Sequence, residues 1–201
     1  MKKNILTMIA VLVIAINSAS AQVAWGARIG VLNFTETIKF SGLSISGSAP
    51  GFELGPVLYY SLKNNLYINS GAMLGVMIPK NSSNEDIGRS NYQNYYIGIP
   101  LYLGINIPLN NNNLSFFVQA GPSIGYWLSS DSGTNDLTNH VQADLGLMAG
   151  INIKKFKIEL GYQYGLTNLT SVKGGGDYNG YETIASTSKL TSLFLGVSYV
   201  F

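Results

Sequence analysis

The sequence predicts an all-β fold, in which eight antiparallel strands close up-and-down into a transmembrane barrel. Three observations predict it. Apolar residues recur at every second position over eight separate stretches, the connections between those stretches are alternately long and short, and the chain opens on an export-type segment. Alternation of period two gives a strand one apolar face and one small or polar face. Of the 201 residues, 46% are hydrophobic and only 11% charged. A soluble barrel with its apolar face turned inward would be coated by Gly, Asn and Ser with little charge among them, so the apolar face is expected to point outward, into lipid.

Lys2 and Lys3 form a positive start, and Ile5 to Ile16 is apolar except for Thr7. Ala19-Ser20-Ala21 follows with small residues in A-x-A order. An apolar run of about twelve residues falls short of the roughly 20 that span a bilayer as a helix. Residues 1–21 therefore read as a secretory signal peptide, and 22–201 as one barrel domain. The absence of cysteine excludes lipoprotein processing and any disulfide framework. Removing Lys2 and Lys3 from the twelve basic residues leaves ten, against ten acidic ones. No basic patch survives processing, so nucleic acid is not an expected partner.

The first strand runs from Val23 to Phe34, with Trp25, Ala27, Ile29 and Val31 on one face and Gly26, Arg28 and Gly30 on the other. After a polar loop, Thr35 to Pro50, the second strand (Phe52 to Tyr60) sets Phe52, Leu54 and Leu58 against Glu53, Gly55 and Tyr59. Leu62-Lys63-Asn64-Asn65 makes a tight turn into a third strand, Leu66 to Ile78. Pro79 to Gln93 is the second long loop. The fourth strand, Tyr95 to Ile107, is apolar at every odd position, and Asn110 to Asn113 is a turn cluster. The fifth strand (Leu114 to Tyr126), a polar loop (Ser129 to Thr138) and a sixth strand (Val141 to Ile153) follow. Lys154-Lys155 turns the chain into a seventh strand, Phe156 to Tyr164, whose inward face carries Lys157, Glu159 and Gln163. The Gly-rich stretch Thr170 to Thr187 is the last long loop. The final strand, Leu193 to Phe201, places Leu195, Val197, Tyr199 and Phe201 on one face and ends the chain on an aromatic residue.

Strands of roughly nine to fourteen residues bracket the 9–11 that a tilted strand needs to cross a bilayer. A closed barrel leaves no unpaired backbone edge in lipid. Wet loops at one end and tight turns at the other match barrels of outer-membrane type, with the short turns and both termini in the periplasm. This placement gathers Trp25, Tyr60, Phe116, Phe156, Tyr199 and Phe201 near the periplasmic ends, and Phe52, Tyr95, Tyr126 and Tyr164 near the outer ends. Two outward aromatic girdles are expected at the two lipid–water interfaces. Outer-membrane lipid is thus an expected partner, and the chain an expected monomer. Leu195, Val197, Tyr199 and Phe201 form the expected assembly signal, read by the barrel-assembly machinery during biogenesis.

Gly51-Phe52-Glu53-Leu54-Gly55-Pro56, Tyr95-Tyr96-Ile97-Gly98-Ile99-Pro100-Leu101-Tyr102-Leu103 and Ala120-Gly121-Pro122-Ser123 resemble the PorT-like outer-membrane β-barrel family. The phrase Y-x-x-I-P-L opening the fourth strand is the most specific of these. The resemblance covers nearly the whole mature chain. It implies a barrel fold and, for function, an accessory part in envelope transport or secretion.

The inward charges are Arg28, Glu53, Asp144, Lys157 and Glu159. An eight-stranded barrel is just wide enough for side chains to fill its interior. Buried charges in so narrow a lumen must be paired or watered, so these five are expected to form a polar network, with Arg28 bridging carboxylates of the strands around it. Which acid meets Arg28 stays open. The alternative is a thin water path tuned by Glu53, Asp144 and Glu159. Catalysis is not expected. The lone histidine, His140, has Gln142 where an acyl-transfer barrel would carry serine, and Asp144 lies roughly 13 Å along the strand. No metal or cofactor is expected: Asp131, Asp136 and Asp177 lack calcium-loop spacing, and Gly174-Gly175-Gly176 precedes no helix start. Two functions follow. One is a non-enzymatic structural or interaction barrel whose external loops engage a protein or glycan, Tyr178 and Tyr181 offering a contact patch; the other is a small passive channel for ions or solutes.

Overall fold

The computed structural model describes residues 23–40, 43–78, 94–109, 114–129, 140–168, 170–172, 177–178, 181–182 and 186–201. The export segment, Asp131, Asp136 and the Gly174–Gly176 run lie outside these residues. Eight staves form a closed ring. Its strands are β1 (Val23–Phe40), β2 (Leu43–Ser61), β3 (Leu66–Gly71) with β4 (Met73–Met77), β5 (Asn94–Pro108), β6 (Leu114–Ser129), β7 (Val141–Ile153), β8 (Phe156–Gly165) and, past three short strands, β12 (Ser186–Val200). Every stave pairs antiparallel with its sequence neighbours, and β12 returns to β1 through pairs such as Ile29↔Val197, which closes the barrel.

Both ends of the described chain lie at the rim that carries the short turns, where the Phe201 N–H donates to the Trp25 carbonyl at 2.8 Å. The turn between β2 and β3 places Asn64 and Asn65 at φ 59° and 62°. Asparagine tolerates this left-handed region well, and positive φ at both central residues matches the twist of the flanking strands. The turn between β7 and β8 asks the same of Lys154, at φ 54°.

The long-loop rim departs from the alternation read in the sequence. Thr35 to Pro50 is not a loop: β1 and β2 stay paired up to Phe40↔Leu43, beyond the last pair that β2 makes with β4, Gly51↔Met77. Within Thr170 to Thr187, β9 (Thr170–Val172) pairs with the start of β12, and β10 (Asp177–Tyr178) pairs with β11 (Tyr181–Glu182). The serines and threonines of these segments are β-compatible, and in β2 residues 43–48 are exposed on both faces. A sheet of β2, β1, β12 and β9 thus rises roughly 25 Å along the strand beyond the barrel wall.

The predicted third strand is interrupted at Ala72, between β3 and β4. Pro56 and Pro100, on the strands to either side, supply no N–H to the ladder there. The Ala72 N–H still reaches the Pro56 carbonyl at 3.2 Å, and the Ser70 hydroxyl donates to the Pro100 carbonyl at 2.8 Å.

The apolar face points out, as with Ile29 (62% exposed) and Leu103 (55%). Among the girdle residues Trp25, Phe52, Tyr95, Tyr126, Phe156, Tyr164 and Phe201 are exposed, while Tyr60 and Tyr199 are half-buried. Tyr199 packs edge-on between Phe156 and Phe201, with ring centroids 5.1 and 5.4 Å away. The inward face is richer than its expected Gly, Ser, Asn and Gln. Phe34, Phe117, Trp127, Met148, Leu190 and Phe194 are all buried inside. Glycines make the room: a Cβ on Gly30 or Gly196 would enter the Phe194 ring, one on Gly75 the Tyr96 ring, and one on Gly104 the Tyr67 ring. Small and large side chains alternate across neighbouring staves and fill the taper of a narrow barrel.

Candidate functional site

The candidate site is the filled lumen, and strand register builds it. One row of inward positions runs Glu53, Gly30, Gly196 and Glu159 across β2, β1, β12 and β8. Two carboxylates are therefore separated by two glycines that contribute no side chain. Arg28 and Phe194 lean into the space left between them. The Arg28 guanidinium meets Glu53 at 2.9 Å through Nη2 and stands 3.9 Å from Glu159 through Nη1, with its Cζ 5.0 Å from the Phe194 centroid. Arg28 joins carboxylates of two different staves, β2 and β8.

Hydrogen bonds tie this middle layer to both halves of the lumen. The Tyr96 hydroxyl donates to Glu53 at 2.5 Å, and the Ser198 hydroxyl to Glu159 at 2.9 Å. The Gln119 amide reaches Glu159 at 3.4 Å, while its carbonyl oxygen accepts from Tyr67 and Asn69, each at 3.1 Å. Arg28 Nε and Nη1 have no hydrogen-bond partner among the described residues.

In the short-turn half, Val57, Tyr59, Tyr67, Met73 and Phe117 pack together. Lys157 stands apart from the Arg28 layer and points its ammonium at three rings, 3.9 Å from the Phe117 centroid, 4.6 Å from Tyr67 and 4.8 Å from Tyr59. Negative ring faces attract a cation most strongly where water is excluded.

In the long-loop half, Leu32, Phe34, Tyr102, Trp127, Met148, Leu190 and Phe194 pack with Met77 and Tyr96. Phe34 meets Tyr96 and Trp127 edge-on at 5.9 and 5.7 Å, and Tyr96 lies 5.0 Å from Trp127. Asp144 belongs to this half and does not meet Arg28. Trp127 Nε1 donates to the Gln142 carbonyl oxygen at 2.6 Å, Gln142 Nε2 donates to Asp144 Oδ1, and the Ser123 hydroxyl lies 3.5 Å from Oδ2. A cavity of about 40 Å³ remains, bordered by Arg28, Phe34, Glu53, Tyr96, Trp127 and Asp144.

Of the five expected network charges, Arg28, Glu53 and Glu159 come together, Lys157 is turned to three rings while still attracted by Glu159, and Asp144 is held apart by Gln142 and Ser123. The inward rings Phe34, Phe117, Trp127 and Phe194 were missed, although their even or odd place within each strand put them on the inner face. Strong outward periodicity drew attention away from them. His140 stacks on Tyr126 with centroids 5.7 Å apart and hydrogen-bonds the Trp127 carbonyl through Nδ1 at 3.1 Å. Leu195, Val197, Tyr199 and Phe201 line the outer face at the short-turn end of β12 and at the carboxy-terminus.

The fold is similar to several solved outer-membrane proteins. Neisserial surface protein A is 16% identical over 87% of this chain and 97% of its own, with a TM-score of 0.47. Ail, the attachment invasion locus protein of Yersinia pestis, is 15% identical over 88% and 98%, with a TM-score of 0.42. The N-terminal β-barrel domain of Pseudomonas aeruginosa OprF is 14% identical over 86% and 97%, with a TM-score of 0.42. No curated protein matches the chain. The model of the family described as "Outer membrane protein beta-barrel domain" matches residues 17–171, most of the sequence, and the chain belongs to that family, an outer-membrane β-barrel.

Proposed function

We propose that this barrel is a non-conducting, non-enzymatic interaction protein of the outer membrane, which presents its raised β2–β1–β12–β9 sheet to a protein or surface glycan outside the cell. The observation that carries the reading is the filling of the lumen: two aromatic layers with the Arg28–Glu53–Glu159 layer between them. Residues 1–21 direct export and are removed. The short turns and both termini face the periplasm, the barrel is monomeric, and Leu195, Val197, Tyr199 and Phe201 are read by the assembly machinery. The PorT-like phrase Y-x-x-I-P-L, Tyr96 to Leu101, favours an accessory role in envelope transport or secretion. The test is planar-bilayer conductance of the refolded mature protein, with heat-modifiable migration on a gel as the check of folding. A folded protein that stays silent is expected, and discrete steps would overturn the reading.

One observation favours a passive channel instead. Arg28 keeps unpaired donors beside a cavity that Glu53 and Asp144 also border. In a channel, Glu53→Gln alters ion selectivity; in a filled barrel it lowers stability and leaves the bilayer silent.

A further inference from the structure

We infer that the long-loop half of the lumen is a binding site for a small ammonium-type cation. The short-turn half supplies the internal reference. There the rings of Tyr59, Tyr67 and Phe117 surround the ammonium of Lys157. In the other half the rings of Phe34, Tyr96 and Trp127 pack together and line a cavity that the Asp144 carboxylate also borders. The parts of a cation cage are present, and among the described residues that line it the one cation is Arg28, already held by Glu53 and Glu159.

Charge points the same way. Asp144 is 7% exposed, and it takes part in neither of the ion pairs found among the described residues, Arg28 with Glu53 and Arg28 with Glu159. Arg28 and Lys157 offset two of the three inward carboxylates, which leaves the lumen one net negative charge, with Asp144 the acid outside both ion pairs. A buried carboxylate without a counter-charge is costly, and a cation in the cavity removes the cost. The carboxylate is also held in place: the Trp127–Gln142 pair fixes Oδ1, and Ser123 lies beside Oδ2.

Size and ligand chemistry select the cation class. A cavity of about 40 Å³ has room for about three waters, or for ammonium or methylammonium. No three metal-ligating side chains come together among the described residues, which disfavours a protein-caged divalent ion. Aromatic faces beside a carboxylate suit an alkylated or bare ammonium group, by cation–π attraction on one side and ion pairing on the other.

The test uses mature protein refolded into lipid nanodiscs, carrying Trp25→Phe so that Trp127 is the single tryptophan. Methylammonium chloride is titrated against N-methylglucamine chloride at equal ionic strength, reading Trp127 emission and the thermal midpoint. A saturable emission change with a rise in midpoint is expected for methylammonium alone. It should weaken at least tenfold in Asp144→Asn, and several-fold in Phe34→Leu, which keeps an apolar group beside the cavity. Equal responses to both salts, an equal response to sodium, or an undiminished response in folded Asp144→Asn would overturn the site. So would no response at all, the result expected if the Asp144 carboxyl simply carries a proton. A conducting lumen would reveal itself as steps in the bilayer and leave this dependence on Asp144 intact, so the two readings fail separately.

Discussion

In the short-turn half of the lumen three rings close around an ammonium that the chain supplies; in the long-loop half three rings line a cavity that a carboxylate also borders. The first arrangement is packed and carries its own cation, with the Tyr59 hydroxyl and Asn69 Oδ1 lacking a hydrogen-bond partner among the described residues. Its middle-layer neighbour Gln119 is fully buried and bonded to Tyr67, Asn69 and Glu159. The second keeps void space and a carboxylate that is hydrogen-bonded but has no ion-pair partner among the described residues. Filling a cage with the chain's own cation favours stability. Leaving its counterpart open retains a capacity to bind, and sites where local rules of burial are broken tend to be functional ones.

The largest effect is expected at the boundary between the halves. Arg28→Ala leaves Glu53 and Glu159 buried without their cation, and should cost about 3–5 kcal/mol in urea-induced unfolding from lipid vesicles. Arg28→Lys should recover only part of this, because a single ammonium cannot present the guanidinium's two arms to carboxylates on two staves.

Truncation of the rings sharpens the contrast. Phe117→Ala in the packed half should cost about 3–5 kcal/mol, the range for emptying a well-packed aromatic site. Trp127→Ala borders space that is already open, and should cost less than its size suggests. Equal losses in the two variants would break the distinction between a closed half and an open one.

Lys157→Met keeps the aliphatic stem and removes the charge from the three-ring cage. A loss of about 2 kcal/mol is expected, the scale of a desolvated cation–π interaction. The Trp127 emission of the other half should not move. The smallest effect belongs to the turn: Lys154→Gly relieves a left-handed residue, and should raise stability by up to about 1 kcal/mol in the same unfolding assay.

Much of the barrel is legible without coordinates. Strict alternation in Tyr95 to Ile107 and Val141 to Ile153 fixes strand, face and inside–outside polarity at once, because lipid selects every outward residue individually. The raised sheet was not legible. Residues 43–48 are exposed on both faces, so lipid selects no apolar face there, and their Ser and Gly content looks like loop. The break at Ala72 was hidden for a different reason. It is caused by Pro56 and Pro100, which lie far from it in sequence and beside it in the sheet.

The sequence by itself determined the strands, the outward apolar face, the aromatic girdles and which charges point inward, since each depends on one residue's place in a period of two. The tertiary structure alone decided which inward groups meet. Barrel closure and stagger set one row of Glu53, Gly30, Gly196 and Glu159 across four staves, so Arg28 reaches two carboxylates, Lys157 falls among rings, and Asp144 is left beside a cavity. Cross-strand register is a property of the closed ring, and no local pattern along the chain encodes it.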